Sequence, residues 1–121
     1  MRLRKLDENL TVCKVKDVSE INLNDNILFV GKTKDEISVV CETSLVPSNI
    51  IEREDGFKGF RIDGQLDFSL IGILAPIAKI LADNTIGIFV VSTFDTDYIL
   101  VKEDKFDRAL QLLNAAGYQI N

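Results

Sequence analysis

Ser92, Thr93, Asp95 and Asp97 stand within six residues of one another, and Asp63 and Asp67 precede them. A hydroxyl beside a carboxylate suggests a serine or threonine nucleophile. Such a group needs a neighbouring base, none is evident, and the chain has no His at all. Four carboxylates in two pairs would also suit a hard cation. Turns, however, favour Asp because its side chain bonds the local backbone, and that is the stronger reading here. Asp97 reads either as an acceptor for an ammonium group or as a lock on a turn. Phe94 reads as core or as the apolar wall of a pocket.

Cys13 and Cys41 each lie inside an apolar run and lack CxxC spacing. Without His, a Cys/His zinc site and a Cys–His nucleophile are both excluded, so the two thiols read as buried and reduced. No cofactor is implied.

A second concentration of chemistry lies just before Pro76. Proline has no N–H, so the carbonyl four residues earlier, that of Gly72, has no helical donor. Either a helix starts near Ile73 with Pro76 in its first turn, or it is locally distorted. In both cases the backbone around residues 69–73 has unpaired groups at a helix start, a place that favours a carboxylate or phosphate. A free carbonyl nearby would accept from an ammonium, and a zwitterion such as an amino acid would satisfy both. An ordinary capped helix with a solvated loop is the competing reading.

The elements that position these residues follow from hydropathy period. Residues 10–15 alternate as a half-buried strand, 27–32 and 37–42 read as a hairpin, and 17–26 as a loop. Residues 43–52, containing Pro47, suit a short helix. Asp55-Gly56 is a turn signal, and Glu52, Glu54 and Asp55 read as solvated. Residues 57–62 form a strand leading into the focal stretch. Leu70, Ile71, Leu74, Ile77, Ala78 and Leu81 recur at helical spacing, with Ile73 and Ile80 widening the stripe. Asp83-Asn84 ends that helix. Residues 86–91 are a continuously apolar strand, turned at 93–96 onto a partner at 98–101. Asp104 suits the cap of a second helix, buried along Phe106, Ala109, Leu110 and Leu113. Gly117 suits its C-terminal cap, and 118–120 a last short strand.

From residue 57 the order is strand, helix, strand, strand, helix, strand: an α+β, ferredoxin-like pattern. A helix-poor first half, 1–55, extends the sheet of the second, 56–121. The strand at 86–91 falls on a sheet edge and is too apolar to be left bare. The N-terminal strands and the same edge of a second chain are the two candidates for its cover, and both a sheet extension and a homodimer are expected.

At 121 residues, 46% hydrophobic and 27% charged, the composition is that of an ordinary globule. A net charge of −5 argues against nucleic acid. Arg2, Arg4 and Lys5 read as a solvated tail. No apolar run approaches the ~20 residues that span a bilayer, and no signal-peptide pattern is present, so the expected compartment is cytoplasmic.

The segments LDFSLIGILAPIAKILA (66–82) and STFDTDYILVKED (92–104), with the apolar strand between them, resemble the ACT family. The likeness is to small bacterial proteins with two tandem ACT-like units, and to the C-terminal units of eukaryotic cytosolic arginine sensors. EISVVCETSLVP (36–47) is similar to the first-unit motif of that group. The resemblance implies ferredoxin-like units sharing a sheet and binding of small molecules, usually amino acids, at a unit interface. Carried over by motif, the pocket comprises Asp67, Phe68, Ser69, Leu70, Ile71 and Gly72 from the loop. Thr93, Phe94 and Asp97 join it from the turn. The arginine sensors carry an acidic residue two places before the loop glycine, where this chain has Leu70. Guanidinium recognition is therefore not implied, and an uncharged or apolar amino acid fits as well.

Three functions from different classes remain. The first is a non-catalytic sensor that binds an amino acid, forms a homodimer and acts on a regulated protein. The second is a structural or protein-interaction homodimer with a vestigial pocket. The third is an enzyme, disfavoured because no acid–base or nucleophile constellation is visible.

Overall fold

The computed structural model describes residues 1–63 and 72–121. They form a mixed α+β arrangement of eight strands and two helices, grouped into two compact units. One unit comprises residues 8–57. The other comprises residues 1–7 together with 58–121.

The unit of residues 8–57 contains β2 (Leu10–Val15), β3 (Leu28–Lys32), β4 (Ile37–Glu42) and the start of β5 (Ile50–Ile62). Their order is β3-β4-β2-β5, every neighbour antiparallel. Alternation puts Cys13, Val15, Val39 and Cys41 on one face, where Ile21, Leu28 and Val46 pack over them. The helix expected over 43–52 is a single 3-10 turn, Thr43–Leu45, because the chain is already extended at Ile50.

Asp55-Gly56 is not a turn. β5 runs through it for 13 residues, with Gly56 at φ +81°. Leu10 pairs with Phe57 and Val12 with Glu54, so Asp55 and Gly56 together oppose Thr11. That two-against-one count is a β-bulge, which a glycine in the left-handed region makes cheap. Thr11 is fully buried at the bulge, and its hydroxyl bonds the Thr43 hydroxyl (2.9 Å) and the Asp55 carboxylate (2.7 Å). Arg53 holds that carboxylate at 2.8 Å.

In the other unit the strand order is β6-β7-β5-β1-β8, with β1 at Arg2–Lys5, β6 at Phe89–Ser92, β7 at Asp97–Lys102 and β8 at Gln119–Ile120. The expected tail is thus a strand. β1 pairs antiparallel with β5 and parallel with β8, standing between them. Four residues with a single apolar side chain carry no periodic signal, yet Leu3 is fully buried and helps hold the strand in place.

The helices are α1 (Leu74–Asp83) and α2 (Glu103–Ala115). Ile77 and Leu81 of α1 and Phe106, Ala109, Leu110 and Leu113 of α2 share a core with Leu3, Phe60, Ile62, Ile99 and Val101. Each large aliphatic buried there contributes about 1.5–3 kcal/mol. Leu70 and Ile71, assigned to the first helix by periodicity, lie outside the described residues. The cap of α2 falls on Lys102 rather than Asp104, and Glu103 and Asp104 occupy the first turn, where the helix dipole favours negative charge. Gly117, at φ +103°, closes α2: its N–H reaches the Asn114 carbonyl, and that of Tyr118 reaches Leu113. This pair of bonds is a Schellman motif.

The apolar strand is shorter than expected. β6 begins at Phe89, leaving 86–88 outside regular structure, and among the described residues it pairs with β7.

Candidate functional site

α1 starts as Pro76 dictates. Ile73 is the N-cap, without a side-chain cap bond, and Pro76 falls in the first turn. Proline is tolerated there because the N–H it lacks would have no helical acceptor. Gly72 precedes the cap at φ +71°. A cleft of about 270 Å³ opens here. Gly72, Ile73 and Pro76 line one side, and Ala116, Gly117 and Tyr118, from the junction of α2 and β8, line the other. Met1 completes the lining.

The turn between β6 and β7 is built by hydroxyls. Thr93 donates its N–H to the Thr96 carbonyl at 2.8 Å, and its hydroxyl lies 3.1 Å from the same oxygen. Thr96 is 3% exposed and donates its hydroxyl to the Ile62 carbonyl at 2.7 Å. Ile62 ends β5, so this bond fixes the turn against that strand end. On the other flank Asp63 donates its N–H to the Arg2 carbonyl (2.9 Å), and Arg4 pairs with its carboxylate (2.5 Å). The strand end is held from both sides immediately before the loop that the sequence singles out. Arg61 stacks over the Tyr98 ring at 5.6 Å, bracing β5 against β7.

Of the residues assigned to the pocket by resemblance, Asp67, Phe68, Ser69, Leu70 and Ile71 lie outside the described residues. Gly72 lines the cleft. Thr93, Phe94 and Asp97 sit together at the β6–β7 turn and do not line that cleft. Phe94 is 71% exposed at the tip. Asp97 accepts a 2.6 Å hydrogen bond from the Ser92 hydroxyl, the geometry of a turn lock. The sequence reading missed Thr96 and the Ala116–Tyr118 side of the cleft. A threonine ending a Ser/Thr/Asp turn is the signal for the first. Nothing local signals the second, which depends on where α2 delivers the chain.

Among the described residues no three Cys, Asp or Glu side chains converge on a metal-sized point. Burial pushes the Cys13 thiol up and the Cys41 thiol to about 12, so neither is a ready nucleophile at neutral pH.

Residues 52–115, more than half of the chain, match the family model of the ACT domain. The chain belongs to the ACT domain family. No curated protein matches it. Among solved structures, a protein from Agrobacterium tumefaciens is 29% identical, with a TM-score of 0.84 over 99% of this chain and 91% of that one. A protein of unknown function from Vibrio cholerae is 19% identical, with a TM-score of 0.73 over 94% of this chain and 88% of that one. The aspartate kinase of Clostridium acetobutylicum, an allosteric enzyme, is 15% identical, with a TM-score of 0.66 over 94% of this chain and 33% of its own. The last two show a shared fold alone. No described helix of this ACT protein is long and apolar enough to cross a membrane.

Proposed function

We propose that this chain is a non-catalytic regulatory ACT protein of the cytoplasm that binds an amino acid and passes the binding event to a partner protein. On this reading residues 56–121, completed by β1, are the ACT unit proper, and the rest of 1–55 is a helix-poor ACT-like half. The amino acid sits on the loop of Asp67, Phe68, Ser69, Leu70, Ile71 and Gly72, beside the turn of Thr93, Phe94 and Asp97. The observation that carries the reading is the end of β5, which the Thr96 hydroxyl and the Arg4 side chain pin from opposite flanks at the root of that loop. A pinned strand end lets a loop present its backbone to a ligand with little ordering cost on binding. The helix start next to Gly72 suits a carboxylate, and the Gly72 carbonyl, with no N–H on Pro76 to meet it, suits an ammonium. The likeness to a fold found in an allosteric aspartate kinase supports a regulatory role.

A thermal-shift screen of the twenty amino acids tests it. A ligand at about 100 times its dissociation constant adds roughly 2.7 kcal/mol if it binds only the folded state. For a chain of this size that is a rise of about 10 °C in melting temperature. A flat response to all twenty at millimolar concentration sinks the proposal.

One observation favours a second reading, a structural homodimer with a vestigial pocket. The Asp97 carboxylate already accepts from Ser92, so it is less open to an ammonium than the motif implies. Both readings include a homodimer through β6, whose half-buried Phe89, Val90 and Val91 carry no charge along a sheet edge.

A further inference from the structure

We infer that the cleft between Gly72 and Gly117 takes the side chain of the bound amino acid, and that this side chain is apolar. The inference rests on the amino-acid reading above and adds a selectivity to it.

The cleft is amphipathic in a particular way. Its walls bring Ile73 and Pro76 from the start of α1, and Ala116 and Tyr118 from the junction after α2. Among the described residues none of the lining side chains is charged, and the one charged group in the lining is the α-amino group of Met1. Its two rims are glycines held at positive φ, +71° at Gly72 and +103° at Gly117. A Cβ added at either would meet nothing within 4 Å among the described residues. Pro76, four residues after Gly72, has no N–H with which to give the Gly72 carbonyl a helical hydrogen bond. Polar backbone therefore borders one edge of a cleft whose walls are apolar. An α-amino acid has that division: charged groups at the α-carbon and a side chain of separate character.

Size and charge narrow the class. About 270 Å³ is below the range of ~300–1,000 Å³ typical of drug-sized sites, which suits one side chain and not a large cofactor. An ammonium or guanidinium placed among Ile73, Pro76 and Ala116 would lose water and find no opposite charge on the described lining side chains, and a carboxylate there would lose water against apolar walls. Leucine, isoleucine, methionine and phenylalanine lose nothing of that kind. Leucine should exceed alanine by at least about tenfold in affinity, because a single methylene in an apolar pocket already discriminates by about that factor.

Titration calorimetry on the full chain with leucine, methionine, phenylalanine, alanine, aspartate and arginine tests the inference, alongside two variants. Ala116 is exposed at the C-cap of α2, so replacing it leaves the core intact. Ala116→Trp fills the cleft and should weaken the best apolar ligand at least tenfold, with the melting temperature of the ligand-free protein unchanged. Ala116→Asp should lose that ligand and gain measurable affinity for arginine, an exchange that a merely structural role would not produce. Preference of the unmodified protein for aspartate or arginine would overturn the apolar assignment. So would leucine binding that Ala116→Trp leaves unmoved. In either case the amino-acid reading survives. If none of the twenty amino acids binds, both fall together.

Discussion

Replacing Thr96 with Val removes one hydroxyl and leaves the shape of the side chain. In the native turn that hydroxyl is 2.7 Å from the Ile62 carbonyl, and the residue is 3% exposed. A neutral hydrogen bond contributes about 0.5–1.5 kcal/mol net, and leaving a buried partner unsatisfied raises the loss to about 1–3 kcal/mol. The Arg61 Nε at 3.4 Å from the same carbonyl recovers a little, and the added methyl gains some burial. The expected net cost is about 1–2 kcal/mol. With an unfolding entropy of about 2.1 cal/mol/K per residue, that lowers the melting temperature by about 4–8 °C. Thr96→Ser keeps the bond and loses a methyl, about 0.8 kcal/mol, so it should fall less. Urea denaturation of the three proteins measures the order directly. Because the bond holds the β6–β7 turn to the end of β5, just before the proposed ligand loop, Val should also reduce any amino-acid-induced shift, and Ser should not. A Val variant as stable as the parent, or a Ser variant less stable than Val, would refute the claim that this bond anchors the turn.

Leu3→Ala should cost about 2–5 kcal/mol, because Leu3 is fully buried in a core shared with both helices; urea midpoints check this, and a cost near zero would return Arg2–Lys5 to a loose tail. Burial raises the Cys41 thiol from 9.0 to about 12, so the folded chain keeps a proton that the unfolded chain releases. That contribution is intact below pH 9 and fades as pH climbs toward 12, so the stability gap between the parent and Cys41→Ala should narrow from pH 8 to pH 10.5. Val91→Lys places a charge on the β6 edge and should shift light scattering from dimer toward monomer; a parent that is monomeric at micromolar concentration excludes the β6 dimer.

How legible each element was depended on its length and on how far away its partners lie. α2 could be read because its buried positions repeat at helical spacing and Gly117 marks its end, both local signals. The start of α1 was equally readable, since Pro76 leaves few alternatives. β1 was not: Arg2–Lys5 becomes a strand through partners at Phe60–Ile62 and Gln119–Ile120, far along the chain. Asp55-Gly56 misled because the same dipeptide serves a hairpin turn and a bulge, and only the register against Thr11 tells them apart. At the site, the Ser/Thr/Asp turn was visible in sequence. That Thr96, and not Asp97, ties it to β5 follows from burial, which a sequence does not display.

The insertion of β1 between β5 and β8 makes the two ends of the chain mutually dependent. A fragment of residues 56–121 would carry the whole strand-helix-strand-strand-helix-strand series and still present two raw strand edges where β1 belongs, with Leu3 missing from the core. Cutting before residue 56 should therefore give an aggregation-prone piece rather than a minimal binding unit. During synthesis, the sheet of this unit waits for residues near 120 before its first strand gains its second neighbour, a long-range closure of the kind that folds slowly.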